Sequence, residues 1–408
     1  MGVQDQALKG IKVLDFGWAL VGSLTGKYLG DHGADVVRVE SSMRPDATRS
    51  DRRYAKSSAT NFDDKPWFAH LNTSKYSMAL NLKHPRAKEV LNRLIRWADV
   101  VNENYTPGTM EKLGLGYEYM KKIKPDIIMM SGSVYGQSGP LAKEWGIDGT
   151  GAALSGRLAL TGWPDREPVV PSVGVYGDYV LPLINTLAIV AALIRRRKTG
   201  KGQYIDAGMF EVCAQEITPA LLDWQANGRL QTRTGNRISH AAPHGVFPCV
   251  GEDRWCAIAV FNGEEWEAFS RALGNPPWTQ EQRFSTLELR KDHENELERL
   301  VSEWTQKHTA EEVMTILQAA GVAAGVVQNA QDVLERDPHL RERGLLATLE
   351  HPVLGAFGHQ TPPFKLSGTP AMLRPAPCLG EHSEYVCTKL LGMADEEFVD
   401  LVSARVFE

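Results

Sequence analysis

The chain has 408 residues, 43% hydrophobic and 23% charged, which excludes a disordered protein and predicts two or three domains. Lys and Arg number 45 against 50 Asp and Glu, a net charge of −5, without the basic excess of a general nucleic-acid binder. Five cysteines (Cys213, Cys249, Cys256, Cys378, Cys387) make an odd set with no CxxC pair, so reduced thiols and a cytoplasmic address are expected.

The opening MGVQDQALKG has neither the charged start nor the apolar run of a secretory signal, and Gln6 breaks the myristoylation pattern. Ile11 to Phe16 is short, apolar and β-branched, a strand. Val21 to His32 reads as a helix closed by Gly33, and Ala34 to Glu40 as the next strand. Tyr76 to Leu82 is a third strand. Pro85 then opens a helix carrying Val90, Leu91, Leu94 and Trp97 on one side. Val100 to Asn104 and Asp126 to Ser133 are further strands. Strands alternating with helices predict βαβ units and a parallel sheet covered on both faces. This part of the chain is α/β.

Tyr179 to Lys198 is the strongest helix, with Leu183, Leu187, Val190 and Ile194 as its apolar stripe. Arg195 to Lys198 crowd its carboxyl end, where cations suit the helix dipole, and Gly200 stops it. Its apolar stretch, Leu181 to Ile194, is interrupted by Pro182, Asn185 and Thr186 and is shorter than a bilayer span, so no membrane is expected. Helical segments continue to about Asn227. Residues 228–335 read as a smaller α+β domain: alternating, turn-rich sequence from Ser239 to Phe261, then amphipathic helices around Glu264 to Leu273 and Asp292 to His308. Residues 336–408 form a carboxyl-terminal segment, rich in Pro and Gly before a last helix near Asp395.

Common catalytic signatures are missing. There is no Walker A sequence, no GxGxxG between strand and helix, and no HExxH. His240 and His244 are separated by Pro243 and cannot share a helical face, so they read as loop histidines rather than a metal site. Ser131 to Ser133 lacks the GxSxG frame of a hydrolase elbow. Asp178 stands out because it follows Gly174 to Gly177 at the mouth of the long helix. Propensity favours a helix cap there. The functional reading is a carboxylate held ionised by helix-start amides and aimed into a cleft.

Several segments together resemble the family III CoA-transferases, the group that includes formyl-CoA transferase and carnitine CoA-transferase. L-K-G-I-K-V-L-D-F from Leu8 is similar to the family's opening strand, and G-D-H-G-A-D-V-V-R-V-E (Gly30 to Glu40) to its L-x-D-x-G-A-D-V-I-K-V-E. S-M-A-L-N-L-K (Ser77 to Lys83) and N-Y-T-P-G-T-M-E-K-L-G-L (Asn104 to Leu115) resemble S-I-x-L-D-L-K and N-F-R-P-G-x-M-x-R-L-G-L. R-R-R-K-T-G-K-G-Q-Y-I-D-A-G-M (Arg195 to Met209) and A-P-C-L-G-E-H (Ala376 to His382) continue the series in order.

The resemblance implies a nucleophile at Asp178, ahead of the helix that runs into the T-G-K-G-Q segment. It implies CoA contacts at Val21, Leu80, Lys83, Asn104, Tyr105 and Lys112, and an acyl pocket that includes Met209. It implies acyl-CoA and carboxylic-acid substrates, no metal and no bound cofactor, since the coenzyme A thioester is itself a substrate. Aspartyl anhydride and aspartyl-CoA thioester intermediates follow, with backbone N–H donors at the carbonyl oxygens worth ~3 kcal/mol each and a pocket that excludes water. For the fold it implies a Rossmann-like large domain before about residue 227, a smaller α+β domain, and a tail returning to the large domain. An interlocked dimer is expected, as a homodimer or as a heteromer with a related subunit, with the cleft at the domain junction.

Two departures narrow the expectation. The first loop reads Val21, Gly22, Ser23 where relatives often have A-G-P, and the Gly-rich flap of formyl-CoA transferase is replaced by Arg233 to Arg237. The α-methylacyl-CoA racemases share this fold and use a His before an Asp in G-H-D. Here Gly146, Ile147 and Asp148 occupy that stretch, and isoleucine carries no proton. A supporting subunit of a two-chain enzyme is a further alternative, against which Asp178 is retained. Trp18, Trp145 and Trp163 with Arg233 or Arg237 suit a dicarboxylic or aryl-substituted acid such as benzylsuccinate, with succinyl-CoA as donor. The tail of Lys and Arg at 195–198 reads as a solvated helix end.

Overall fold

A computed structural model describes residues 5–51, 61–170 and 176–408. It divides into two compact units: Met1–Leu158, Val170–Ala226 and Arg341–Glu408 form one, Ala159–Val169 and Asn227–Leu340 the other.

The first unit is built on six strands: β1 (Lys12–Asp15), β2 (Asp35–Glu40), β3 (Lys75–Ala79), β4 (Val100–Glu103), β5 (Ile128–Ser133) and β6 (Gln203–Gly208). They pair in the order β3-β2-β1-β4-β5-β6, every pair parallel. This is the Rossmann order. Its helices include α1 (Val21–Asp31), α2 (Ala87–Trp97), α3 (Asp148–Leu154), α4 (Tyr176–Thr199) and α5 (Met209–Glu216).

Successive strand residues point to opposite faces, and here both faces are apolar. Val13, Val36, Val100 and Ile128 pack with Leu29 of α1 and Ile189 and Ala192 of α4. Their neighbours Leu14, Val37, Val101 and Met129 pack with Val90, Leu91 and Leu94 of α2. Continuous β-branched runs are what a doubly covered parallel sheet requires.

Two local readings of the sequence are corrected. The segment after α4 does not stay helical, since Gln203–Gly208 forms β6 at the sheet edge. Its burial alternates because Ile205 and Ala207 pack on the core while Tyr204 and Asp206 face outward, so it lacks the apolar run of the central strands. The second correction concerns the face that α4 buries. Leu181, Asn185, Ile189 and Ala192 turn inward, while Leu183 (47% exposed), Leu187 (67%) and Ile194 turn outward. A helix apolar on both sides offers two stripes, and spacing alone does not choose between them. By length and composition α4 is able to cross a bilayer, but its inward face belongs to the core just described.

The second unit has an antiparallel sheet of β7 (His244–Pro248), β8 (Trp255–Ala259) and β9 (Ala323–Val326). Phe247, Cys256 and Ile258 of this sheet pack with Phe269, Leu297 and Val313 from its helices. Ala159–Val169, which sequence pattern assigned to the large domain, is held here by the amide of Gly235 donating to Gly162 O (2.8 Å) and by Arg233 bonding Ala159 O (3.1 Å). The tail returns to the first unit through a hairpin, β10 (Leu346–His351) and β11 (Gly355–Gln360). Backbone bonds from Ser74 N to Arg374 O, His382 N to Ser77 O and Asn81 N to Val406 O fasten it beside β3.

Under the strand ends lies a buried ionic network. Lys75 Nζ donates to Asp15 Oδ2 (2.8 Å), Ser23 O and Asn72 Oδ1, and Arg38 bonds Asp46 (2.6 Å), Ser23 and Asn72. Burial pulls the Lys75 ammonium down to about 8, partly offset by Asp15. Removing one partner of such a pair strands the other charge. Lys75→Met should therefore lower stability by about 3 kcal/mol, seen as an earlier urea midpoint. Adding Asp15→Asn to the same chain should recover part of that loss.

Candidate active site

In a 3-2-1-4-5-6 sheet the connections diverge after β1 and β4, which opens a crevice at the carboxyl ends of those strands. The loop leaving β1 is pinned at three successive amides. Gly17 N donates to Asp15 Oδ1 (2.8 Å), Trp18 N to Asn104 Oδ1 (2.7 Å) and Ala19 N to Asp46 Oδ2 (2.9 Å). Asn104 also donates its Nδ2 to Trp18 O (2.9 Å), so both ends of its side-chain amide hold the loop. Ala19 sits at φ 51°, a strained left-handed value for a residue with a Cβ. Gly22 is required by close approach, since a Cβ there would lie 2.3 Å from Asn104 Oδ1 and 2.4 Å from Gly17 Cα.

The crevice is a cavity of about 350 Å³ whose wall includes Val21, Asn104, Tyr105, Asp148, Asp178 and Met209. Burial pushes the Tyr105 phenol up, so it stays protonated. Met209 is buried at the start of α5 against Gly177, where a Cβ would come within 2.6 Å of its Cγ. Glycine at 177 lets the first turn of α4 lie flat on that methionine. The charged side chains on the wall are Glu144, Asp148 and Asp178, with no lysine or arginine among the described residues.

Asp178 lies inside the first turn of α4 and is not its cap. Asp148, opening α3, takes that part: its Oδ2 accepts the backbone N–H of Asp178 at 3.1 Å, with a further bond from Gly177. The free amides at the start of α4 are thus held by Asp148 and not by Asp178. Burial, reinforced by the negative charge of Asp148, pushes Asp178 up to about 7. Burial also raises Asp148, against its two backbone bonds and Arg157. Gly174 and Val175, in the lead-in to Asp178, lie outside the described residues.

The profile of CoA-transferase family III matches residues 8–383. The chain belongs to this family. It is 31% identical over 400 residues to a succinyl-CoA–D-citramalate CoA-transferase of Chloroflexus aurantiacus, covering 98% of each chain. It is 30% identical to the human succinyl-CoA:glutarate CoA-transferase, over 98% of this chain and 90% of the human one. Among solved structures, a CAIB/BAIF family protein from Brucella suis superposes with a TM-score of 0.87 at 30% identity, covering 95% of this chain and all of that one. The protein is thus a CoA-transferase, with the parallel-sheet α/β fold expected of it.

Val21, Asn104, Tyr105, Met209 and Asp178 meet around one cavity. Other anticipated contacts do not reach it. Leu80 is fully buried in the core beside α2, and Lys83 and Lys112 are exposed and absent from the wall. Trp18 and Trp145 are on the wall, Trp145 being 95% exposed at its rim. Trp163, Arg233 and Arg237 belong to the second unit. There Arg237 is taken up by Glu298 and Asn295, and Arg233 by the carbonyls of Ala159 and Trp163. His240 stacks on Phe261, and no group of three or more potential metal ligands occurs among the described residues.

Asp148 is the site residue that sequence reading passed over. Its signal was an acid opening a short helix, an ordinary cap pattern that does not reveal which helix it caps.

The raised Asp178 carboxyl has a stability signature. Its folded value lies above that of an unfolded aspartate, so the native state holds the extra proton. The contribution to stability is complete below the usual aspartate range and is lost as pH rises through about 7. Asp178→Asn removes that loss. Its melting temperature should match wild type near pH 4 and exceed it at pH 8, by the equivalent of about 1 kcal/mol.

Proposed function

We propose that the protein moves CoA from succinyl-CoA to a small dicarboxylic acid by covalent catalysis at Asp178. The observation that carries this reading is the placement of a nucleophile-competent carboxylate on the wall of the switch-point cavity. Asp178 Oδ attacks the thioester carbonyl, the C–S bond breaks, and CoA thiolate leaves behind an aspartyl–succinyl anhydride. The thiolate attacks the aspartyl carbonyl, releasing succinate and forming an aspartyl-CoA thioester. The acceptor carboxylate attacks that carbonyl and expels the thiolate again. The thiolate then attacks the acceptor's carbonyl, giving the new acyl-CoA and returning Asp178 as carboxylate. Burial that raises Asp178 also makes its anion less solvated and more nucleophilic.

The donor and acceptor class are supported by relatives named for succinyl-CoA with D-citramalate, L-malate and glutarate. An aryl-substituted acid such as benzylsuccinate is a second reading, favoured by Trp18 and Trp145 on the wall. Ile147 on the same wall counts against racemisation, which needs a proton carrier there. CoA is proposed to contact Val21, Asn104 and Tyr105 at the cavity, with Leu80, Lys83 and Lys112 further along. The outward apolar face of α4 supports a dimer, homomeric or with a related chain, two similar relatives being named alpha and beta subunits.

The test is to incubate the protein with succinyl-CoA, quench with hydroxylamine and map the modified peptide. The label should fall on Asp178, and Asp178→Ala should abolish exchange of labelled succinate into succinyl-CoA. A label elsewhere overturns the mechanism. Because only the anion attacks, kcat/KM should rise about tenfold per pH unit below 7 and level off above it.

A further inference from the structure

Asp148 and Asp178 approach each other on the same wall, and the hydrogen bond between them runs to the backbone of Asp178. The first amides of a helix have no partner within it and call for an outside acceptor. Here the amides of Gly177 and Asp178 are already bonded to Asp148. That contact fixes the first turn of α4 against α3, and among the described residues no donor bonds the carboxylate of Asp178. Gly177 allows the turn to settle on Met209 from the other side, so the start of α4 is clamped between α3 and α5.

We propose that Asp148 is a positioning residue for the transfer reaction: it caps the amides at the start of α4 and so fixes the turn that carries the Asp178 carboxylate on the cavity wall. The inference rests on the nucleophile reading above. Asp148 acts twice, as an acceptor that orders the turn and as a fixed negative charge beside the nucleophile. The other ionisable groups nearby are few. Arg157 is paired with Glu216 at 2.8 Å and stacked on Tyr176 (4.1 Å), the Cys213 thiol is pushed up to about 11 by burial, and Glu144 shares the wall. None of them bonds the amide of Asp178 in place of Asp148.

Two substitutions separate the two effects. Asp148→Asn keeps an acceptor oxygen and removes the charge; Asp148→Ala removes both. Hydrogen exchange of the peptide that carries residues 177–180 should speed up about tenfold in the alanine variant and stay near wild type in the asparagine variant. In succinyl-CoA/succinate self-exchange, Asp148→Ala should lower kcat about 10- to 100-fold with little change in KM. Asp148→Asn should keep most of kcat at pH 8 and move the acid limb of the pH–rate profile down by about one unit. Unchanged exchange and kcat in Asp148→Ala, or an unmoved acid limb in Asp148→Asn, overturns the proposal. The hydrogen-exchange readout does not depend on turnover. Failure of hydroxylamine to label Asp178 would therefore fall on the nucleophile reading, and loss of protection in Asp148→Ala would still locate the clamp.

Discussion

The cavity hangs on a loop with three successive amides spoken for. Gly17, Trp18 and Ala19 each donate to a different side chain, and two of those acceptors, Asp15 and Asp46, are held by Lys75 and Arg38. Charges this deep are tolerated because each has an opposite charge beside it, though Arg38 Nε makes no hydrogen bond among the described residues. The result is a rigid rim, with Ala19 kept in a strained conformation that a looser loop would relax. It also means that these three amides are not donors for a developing oxyanion or a phosphate. The stabilising contacts for both must come from elsewhere.

The charge on the wall sharpens that point. Glu144, Asp148 and Asp178 make it acidic, whereas the substrates of a CoA-transferase, an acyl-CoA and a carboxylate, are anions. An acidic wall disfavours a second free carboxylate close to Asp178 and suits the transferred acyl carbon, which is neutral in the thioester. It also keeps Asp178 near the pH at which protonated and ionised forms are balanced.

Much of the fold was legible because its central strands carry short apolar runs bounded by turn residues. Val13 and Leu14 each found a covered face, so their polarity did not depend on register. The edge strand β6 was illegible for the opposite reason, with polar residues interleaved by half-burial. The α4 helix was plain, but not its inward face, since Leu183 and Leu187 are as apolar as Leu181 and Ile189. At the site, Asp178 and Met209 were marked by motif position. Asp148 was not, because the helix it serves begins about thirty residues later in the chain and only the fold brings the two together.

One buried side chain bears on the hazards of the chemistry. Thioesters acylate amines, and an amine is more reactive the more of it is unprotonated at working pH. Lys75, with its ammonium pulled down to about 8, is by that measure a ready victim, yet its side chain has no solvent exposure at all. An enzyme that handles activated acyl groups thus keeps a vulnerable amine sealed beside the loop that leaves β1, where self-inflicted damage cannot begin unless the fold first opens.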